Sequence, residues 1–178
     1  IKAADCLYAG IADVFVPSEK LDALTEALAG GDDPATAIKA HSQDAGEPSL
    51  AQHRAAIDAH FSKSGVTAIL ASLDEDGGDW AAETSKTIRA KSPLSTKVAY
   101  AQVREGAGLD FDACMKLEFR LTNRFMAGHD FYEGVRAVVI DKDQSPKWDP
   151  ASLSAVTDDM VRAYFASLGP EELTFEGQ

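Results

Sequence analysis

Residues 91–140, KSPLSTKVAYAQVREGAGLDFDACMKLEFRLTNRFMAGHDFYEGVRAVVI, carry three helix signals in succession with no strand signal between them. Ser92-Pro93 is an N-cap followed by proline at the first helical position, where a backbone amide proton has no intrahelical partner to lose. That helix is expected to run to about Glu105 and stop at Gly106. Asp110 then opens a longer helix through Met126. Its residues Phe111, Cys114, Leu117, Leu121 and Phe125 are spaced for one buried face, and Gly128 closes it. Asp130 with Glu133 three residues later reads as a capping box for a third helix, through about Ile140. Gly134 costs a helix roughly 1 kcal/mol relative to alanine, which points to a close contact at that position.

The same signals recur outward from this stretch. Ser18 reads as an N-cap, with Leu21, Leu24 and Leu28 on one face and Gly30-Gly31 as a stop. Thr157 opens a last helix with Val161, Tyr164, Phe165 and Leu168 inward, ended by Gly169-Pro170. Further helices are expected around 2–9, 35–41, 50–61, 66–73 and 79–91. The one β-like run is ADVFV at residues 12–16, too short to make a sheet by itself. DEDGGD at 74–79 and residues 141–150 read as loops. The expected fold is therefore mainly α, a multi-helix array with one short strand near residues 12–16.

The formal net charge is −12. General binding to nucleic acid or anionic membranes needs clustered Lys and Arg, so neither is expected. The acids are uneven: between Glu83 and Glu105 there are none, while Lys86, Arg89, Lys91, Lys97 and Arg104 fall inside that window. The longest uncharged apolar run, 66–73, is far short of a membrane span. Cys6 and Cys114 sit in apolar helix-like stretches and read as reduced core thiols, which implies an intracellular setting.

Motifs for common chemistries are absent. His53 and His60 stand seven apart without CxxC or HExxH, so a solvated or capping role is expected rather than a metal site. Asp74, Asp76 and Asp79 lack the glutamate that a calcium loop needs at its twelfth position, which here is Ser85. No GxSxG, GxGxxG or Walker loop occurs. The basic window could hold phosphates beside the helix start at Ser92-Pro93, although a solvated face pairing with acids elsewhere is the commoner meaning of such a run.

Several ordered segments carry a family resemblance. GHDFYEGVRAVVIDKDQSPKW (128–148), AADCLYAGIADVFVPSEKL (3–21), KSPLSTKVAYAQVREG (91–106) and LEFRLTNRFMAG (117–128) resemble the C-terminal half of the 3-hydroxyisobutyryl-CoA hydrolases, in the crotonase (enoyl-CoA hydratase/isomerase) superfamily. The resemblance implies that residues 1–30 end a crotonase-core region and that 31–178 form a helical C-terminal domain. It implies acyl-CoA as substrate, with no covalently bound cofactor. The catalytic carboxylates and backbone-amide oxyanion hole would lie upstream, so no catalytic residue is assigned in this chain. Phe131, Arg136 and Lys142 become candidate CoA contacts by position.

The same resemblance implies a bacterial cytoplasmic or eukaryotic mitochondrial location, and helices that cover the acyl pocket and make subunit contacts. An exposed apolar surface is expected near residues 1–17, or self-association that buries it. Two other readings stay open: an enoyl-CoA hydratase or isomerase of the same superfamily, and a stand-alone helical interaction module.

Overall fold

The computed structural model describes residues 1–175, and the chain forms two compact units, Ile1–Phe61 and Ser62 onward. Position 30/31 falls inside the first unit, where the helices on either side of it pack on each other.

In the first unit, α1 (Ala3–Tyr8), α2 (Leu21–Ala29), α3 (Pro34–His41) and α4 (Arg54–Phe61) are joined by 3-10 turns at Ser18–Lys20 and Ser49–His53. Asp5 organises it. Its carboxylate accepts from the Lys2 amide at 3.1 Å, the Ser49 hydroxyl at 3.0 Å and the Leu50 amide at 2.9 Å. One buried carboxylate thus starts α1 and ties it to the turn 44 residues on. α3 begins as its sequence prescribes: Asp33 accepts from the Thr36 amide at 3.0 Å, with Pro34 at the first position.

Residues 12–17 are irregular, with a bend at Asp13, and no strand forms among the described residues. A strand requires a ladder, whereas here the Phe15 carbonyl accepts from the Gln43 amide at 2.9 Å and the Pro17 carbonyl from the Lys20 amide at 2.9 Å. Ser18 does not cap: the chain enters α2 through the 3-10 turn, and no side chain caps either start. Leu21 and Leu28, expected inward, are exposed. His60, in α4, is buried rather than solvated, while His53, in the preceding 3-10 turn, is half-buried. Around residues 1–17, Ile1, Tyr8, Ile11 and Val14 are exposed.

The second unit holds α5 (Val66–Asp76), α6 (Asp79–Arg89), α7 (Pro93–Gly106), α8 (Phe111–Ala127), α9 (His129–Val135) and α10 (Asp158–Phe165). α5 and α6 make a tight hairpin around Ile69, Leu73 and Ala81, with Trp80, Ile88 and Tyr100 packed against them. Asp74 and Asp76 belong to α5, which ends at Gly77 in the left-handed conformation, φ 68°. Asp74 is no part of a solvated acidic loop: it accepts from the Ser85 hydroxyl at 2.6 Å and pairs with Arg89 at 2.5 Å.

The larger core lies among α7, α8 and α10, where Leu94, Val98, Leu117, Leu121 and Val156 are buried. The local starts are as read from sequence. Ser92 caps α7 through the Ser95 amide, Asp110 caps α8 through the Ala113 amide, and Thr157 caps α10 through the Met160 amide. α10 turns Val161, Tyr164 and Phe165 onto the core, and the Tyr164 ring meets Phe125 at 4.7 Å.

One expected core residue is not in the core. Phe111 is 76% exposed. The buried face of α8 holds at Leu117 and Leu121 but does not extend to its first residue. A second stripe, Phe111, Met115, Phe119 and Met126, is exposed along α8. Cys6 and Cys114 are free thiols, both half-buried.

Candidate functional site: the Asp130 junction and the groove beside it

Gly128, not Asp130, occupies the N-cap of α9, so Asp130 falls in the first turn and its carboxylate turns inward. No capping box forms there. Asp130 Oδ2 accepts from the Ser92 hydroxyl at 2.5 Å, and Oδ1 accepts from the Asp149 amide at 2.8 Å. His129 Nδ1 stands 3.1 Å from the same Oδ1. The Ser92 hydroxyl therefore donates to Asp130 while accepting from the first turn of α7. A single carboxylate fixes the start of α7, the start of α9 and the chain at 149.

Glu133 does not answer Asp130 either. Its carboxylate faces the Arg136 guanidinium at 2.8 and 2.9 Å and accepts from the Lys147 amide at 2.6 Å. Arg136 also pairs with Asp141 at 2.8 Å and Asp143 at 2.7 Å, and reaches the Ser145 carbonyl. α9 passes into a π-helical turn, Arg136–Ile140, and this network folds the following loop back under it. The close contact expected at Gly134 is Trp148: a Cβ at Gly134 would stand 3.4 Å from its Cη2. The Trp148 indole N–H donates to the Ala90 carbonyl at 3.1 Å, so the ring is held on both sides.

These contacts set the electrostatics. Arg136, first through Glu133 and then the two aspartates, is held firmly protonated, its pKa raised. The Arg136 guanidinium, then the Lys147 amide, lowers the Glu133 pKa from 4.5 to about 2. Because the folded value lies below the unfolded one, this stabilisation is complete above about pH 5 and is lost as pH falls towards 2. Hydrogen bonds lower the Asp5, Asp74, Asp143 and Glu172 carboxyls in the same direction. The urea midpoint is accordingly expected to fall steadily below about pH 5, and Glu133→Gln to flatten that fall. A midpoint independent of pH in that range would remove the network from the stability of the fold.

Of the three residues proposed by position, Phe131 is exposed and meets Tyr132 edge-on at 5.3 Å. Arg136 is enclosed by three carboxylates, which leaves its surroundings net negative. Lys142 is exposed at a turn with φ 56°, between Asp141 and Asp143. Phe131 lines a groove of about 530 Å³ with Phe125, Met126, Trp148 and Lys91, the last from the basic window that the sequence marks as able to hold phosphates. Arg136 and Lys142 are not among its lining residues. A larger cavity, about 650 Å³, lies against α5, α7 and α10, where Ala68, Ala71 and Ala101 leave the space. Among the described residues no group of three or more His, Cys, Asp or Glu is placed to hold a metal. Among them, too, no helix is long and apolar enough to cross a membrane.

A profile of the family described as enoyl-CoA hydratase/isomerase matches residues 1–165. The chain belongs to that family. Among enoyl-CoA hydratase/isomerase relatives with assigned names, it is 41% identical to the mitochondrial 3-hydroxyisobutyryl-CoA hydrolase of Rattus norvegicus and 40% identical to that of Homo sapiens. Each match covers 98% of this chain and 48% of the relative. The chain thus spans about half the length of the curated relatives it matches. Solved structures of the same fold include a carnitinyl-CoA dehydratase from Mycobacterium thermoresistibile, with TM-score 0.86, 35% identity, and coverage of 98% of this chain and 50% of that one. An enoyl-CoA hydratase from Rhodobacter sphaeroides 2.4.1 matches with TM-score 0.81 and 34% identity, over 96% of this chain and 49% of that one. The helical architecture and the resemblance to 3-hydroxyisobutyryl-CoA hydrolases expected from the motifs are both found.

Proposed function

We propose that this chain is the helical C-terminal part of an acyl-CoA thioester hydrolase acting on 3-hydroxyisobutyryl-CoA or a closely similar acyl-CoA. The observation that carries the reading is the 40–41% identity to 3-hydroxyisobutyryl-CoA hydrolases over 98% of the chain. The helices cover the acyl-CoA site, and the exposed stripe of α8 offers a surface for subunit contacts. By family resemblance, the groups that polarise the thioester and activate water stand outside these residues. The location proposed is mitochondrial in a eukaryote, as in the relatives, and cytoplasmic in a bacterium.

Hydrolysis breaks the C–S bond, and the tetrahedral oxyanion needs preorganised donors, which the family resemblance places outside these residues. The 178-residue chain is therefore expected to release no CoA thiol from 3-hydroxyisobutyryl-CoA. A polypeptide extended to the length of the relatives is expected to do so at an enzymatic rate. Release of thiol by the short chain would place the chemistry within it and overturn this assignment. The likeness to an enoyl-CoA hydratase structure favours hydration as the second reading. Loss of crotonyl-CoA absorbance with the extended chain, without thiol release, would select it.

A further inference from the structure

We infer that the cavity of about 650 Å³ against α5, α7 and α10 binds a monocarboxylate with an alkyl body of medium length, its carboxylate at Lys97 and its alkyl chain along the alanine wall. The inference is independent of the acyl-CoA reading. Every lining residue belongs to the second unit, so the site is built within this chain.

The space exists because small side chains face it. Ala68 and Ala71 on α5 and Ala101 on α7, with Val161 and the Tyr100 ring, make a largely apolar wall. The loop before α5 closes one end, and it is fastened in place. The Tyr100 hydroxyl donates to the Lys63 carbonyl at 2.9 Å. The Arg104 guanidinium lies 5.4 Å from the centre of the Tyr100 ring and reaches the carbonyls of Ser62 and Lys63. The fold thus holds the cavity open without a ligand. An apolar volume of roughly 300–1,000 Å³ with a few polar groups is the usual form of a small-molecule site.

Three charged residues line it, Lys97, Arg162 and Asp158. Arg162 pairs with Asp159, and both side chains are largely exposed, so that pair contributes little to the field inside. What remains is Lys97 against Asp158. Lys97 is half-buried, where a charge is less screened, and one of its three N–H groups is spent on the Val156 carbonyl at 2.7 Å. Asp158 is exposed in the first turn of α10, whose amides already offset its charge. Gly65 brings no capping side chain to α5, so the first-turn amides beside the cavity add to the positive side. The cavity therefore favours an anion, and its wall favours one that is mostly hydrocarbon. A second negative charge on the ligand would meet Asp158, which restricts the class to monoanions.

The test is calorimetric titration of the 178-residue chain with hexanoate, octanoate, octanol and octylammonium. Octanoate is expected to saturate, roughly fivefold tighter than hexanoate because two more methylenes leave water. It should also bind roughly threefold or more tighter than octanol. Lys97→Met should weaken octanoate roughly three- to tenfold and leave octanol as it was, and Lys97→Arg should retain octanoate. Ala71→Phe, at an exposed edge of the wall, should weaken acid and alcohol alike, roughly tenfold. A circular dichroism spectrum matching the parent checks the fold of each variant. Absence of saturation, octylammonium binding as tightly as octanoate, or octanoate binding indifferent to Lys97→Met would each sink the site. Saturation by the 178-residue chain that vanishes in the extended chain would give the cavity to upstream residues and overturn the inference as well.

Discussion

Asp130→Ala is expected to destabilise the second unit by about 2–3 kcal/mol. The carboxylate is buried and accepts from the Ser92 hydroxyl and the Asp149 amide, with His129 Nδ1 3.1 Å away. Bonds to an ionised acceptor are stronger than neutral ones, and their loss leaves Ser92, itself buried, with a donor pointing at a void. Because the same hydroxyl caps α7, the damage reaches the start of that helix as well as the chain at 149. Asp130→Asn keeps one acceptor oxygen and is expected to lose about half as much. Urea unfolding followed by tryptophan fluorescence measures this directly. A midpoint within error of the parent for Asp130→Ala would show that the junction contributes nothing net.

Leu73→Ala is expected to cost about 3 kcal/mol, and the effect belongs to the α5–α6 hairpin. Leu73 is fully buried against Ile69 and Ala81, with Trp80 and Ile88 closing over that cluster. Removing three carbons there leaves a cavity that two short helices can only partly collapse. Leu73→Met, which conserves volume, is expected to stay below about 1.5 kcal/mol. Equal losses for the two variants would mean that packing around Leu73 is not what holds the hairpin.

Where the sequence was legible, the signal was local. Ser92-Pro93, Asp110 and Thr157 each cap the helix they introduce because a cap is decided within four residues. Asp130 and Glu133 satisfy the same local pattern, yet their partners lie at Ser92, Asp149, Arg136 and Lys147, and most of these are distant in sequence. Nothing in a capping-box spacing distinguishes the two outcomes. Phe111 fits the period of a buried face, but periodicity does not say how far along α8 a neighbouring helix reaches. Residues 12–17 have strand composition and no strand, because a ladder depends on a partner that composition cannot supply. For the candidate site, the resemblance names Phe131, Arg136 and Lys142 by position alone, and the enclosure of Arg136 by acids on the following loop could not be read from it. The basic window was visible as charge. That its member Lys97 lines a cavity emerges only once α5 and α10 are packed against α7.

The segment beyond residue 147 is fastened to the middle of the chain by contacts of long reach. Trp148 joins Ala90 across 58 positions, Lys97 joins Val156 across 59, and Arg120 joins Glu172 across 52. Val156, Tyr164 and Phe165 belong to the same core as α7 and α8. During synthesis, then, α7 and α8 leave the ribosome with their shared apolar face open. It stays open until α10 has followed, a delay of several seconds at ordinary elongation rates. Over that interval the unit is a nascent chain with an unfinished core, an exposure set by the order of its helices rather than by their final stability.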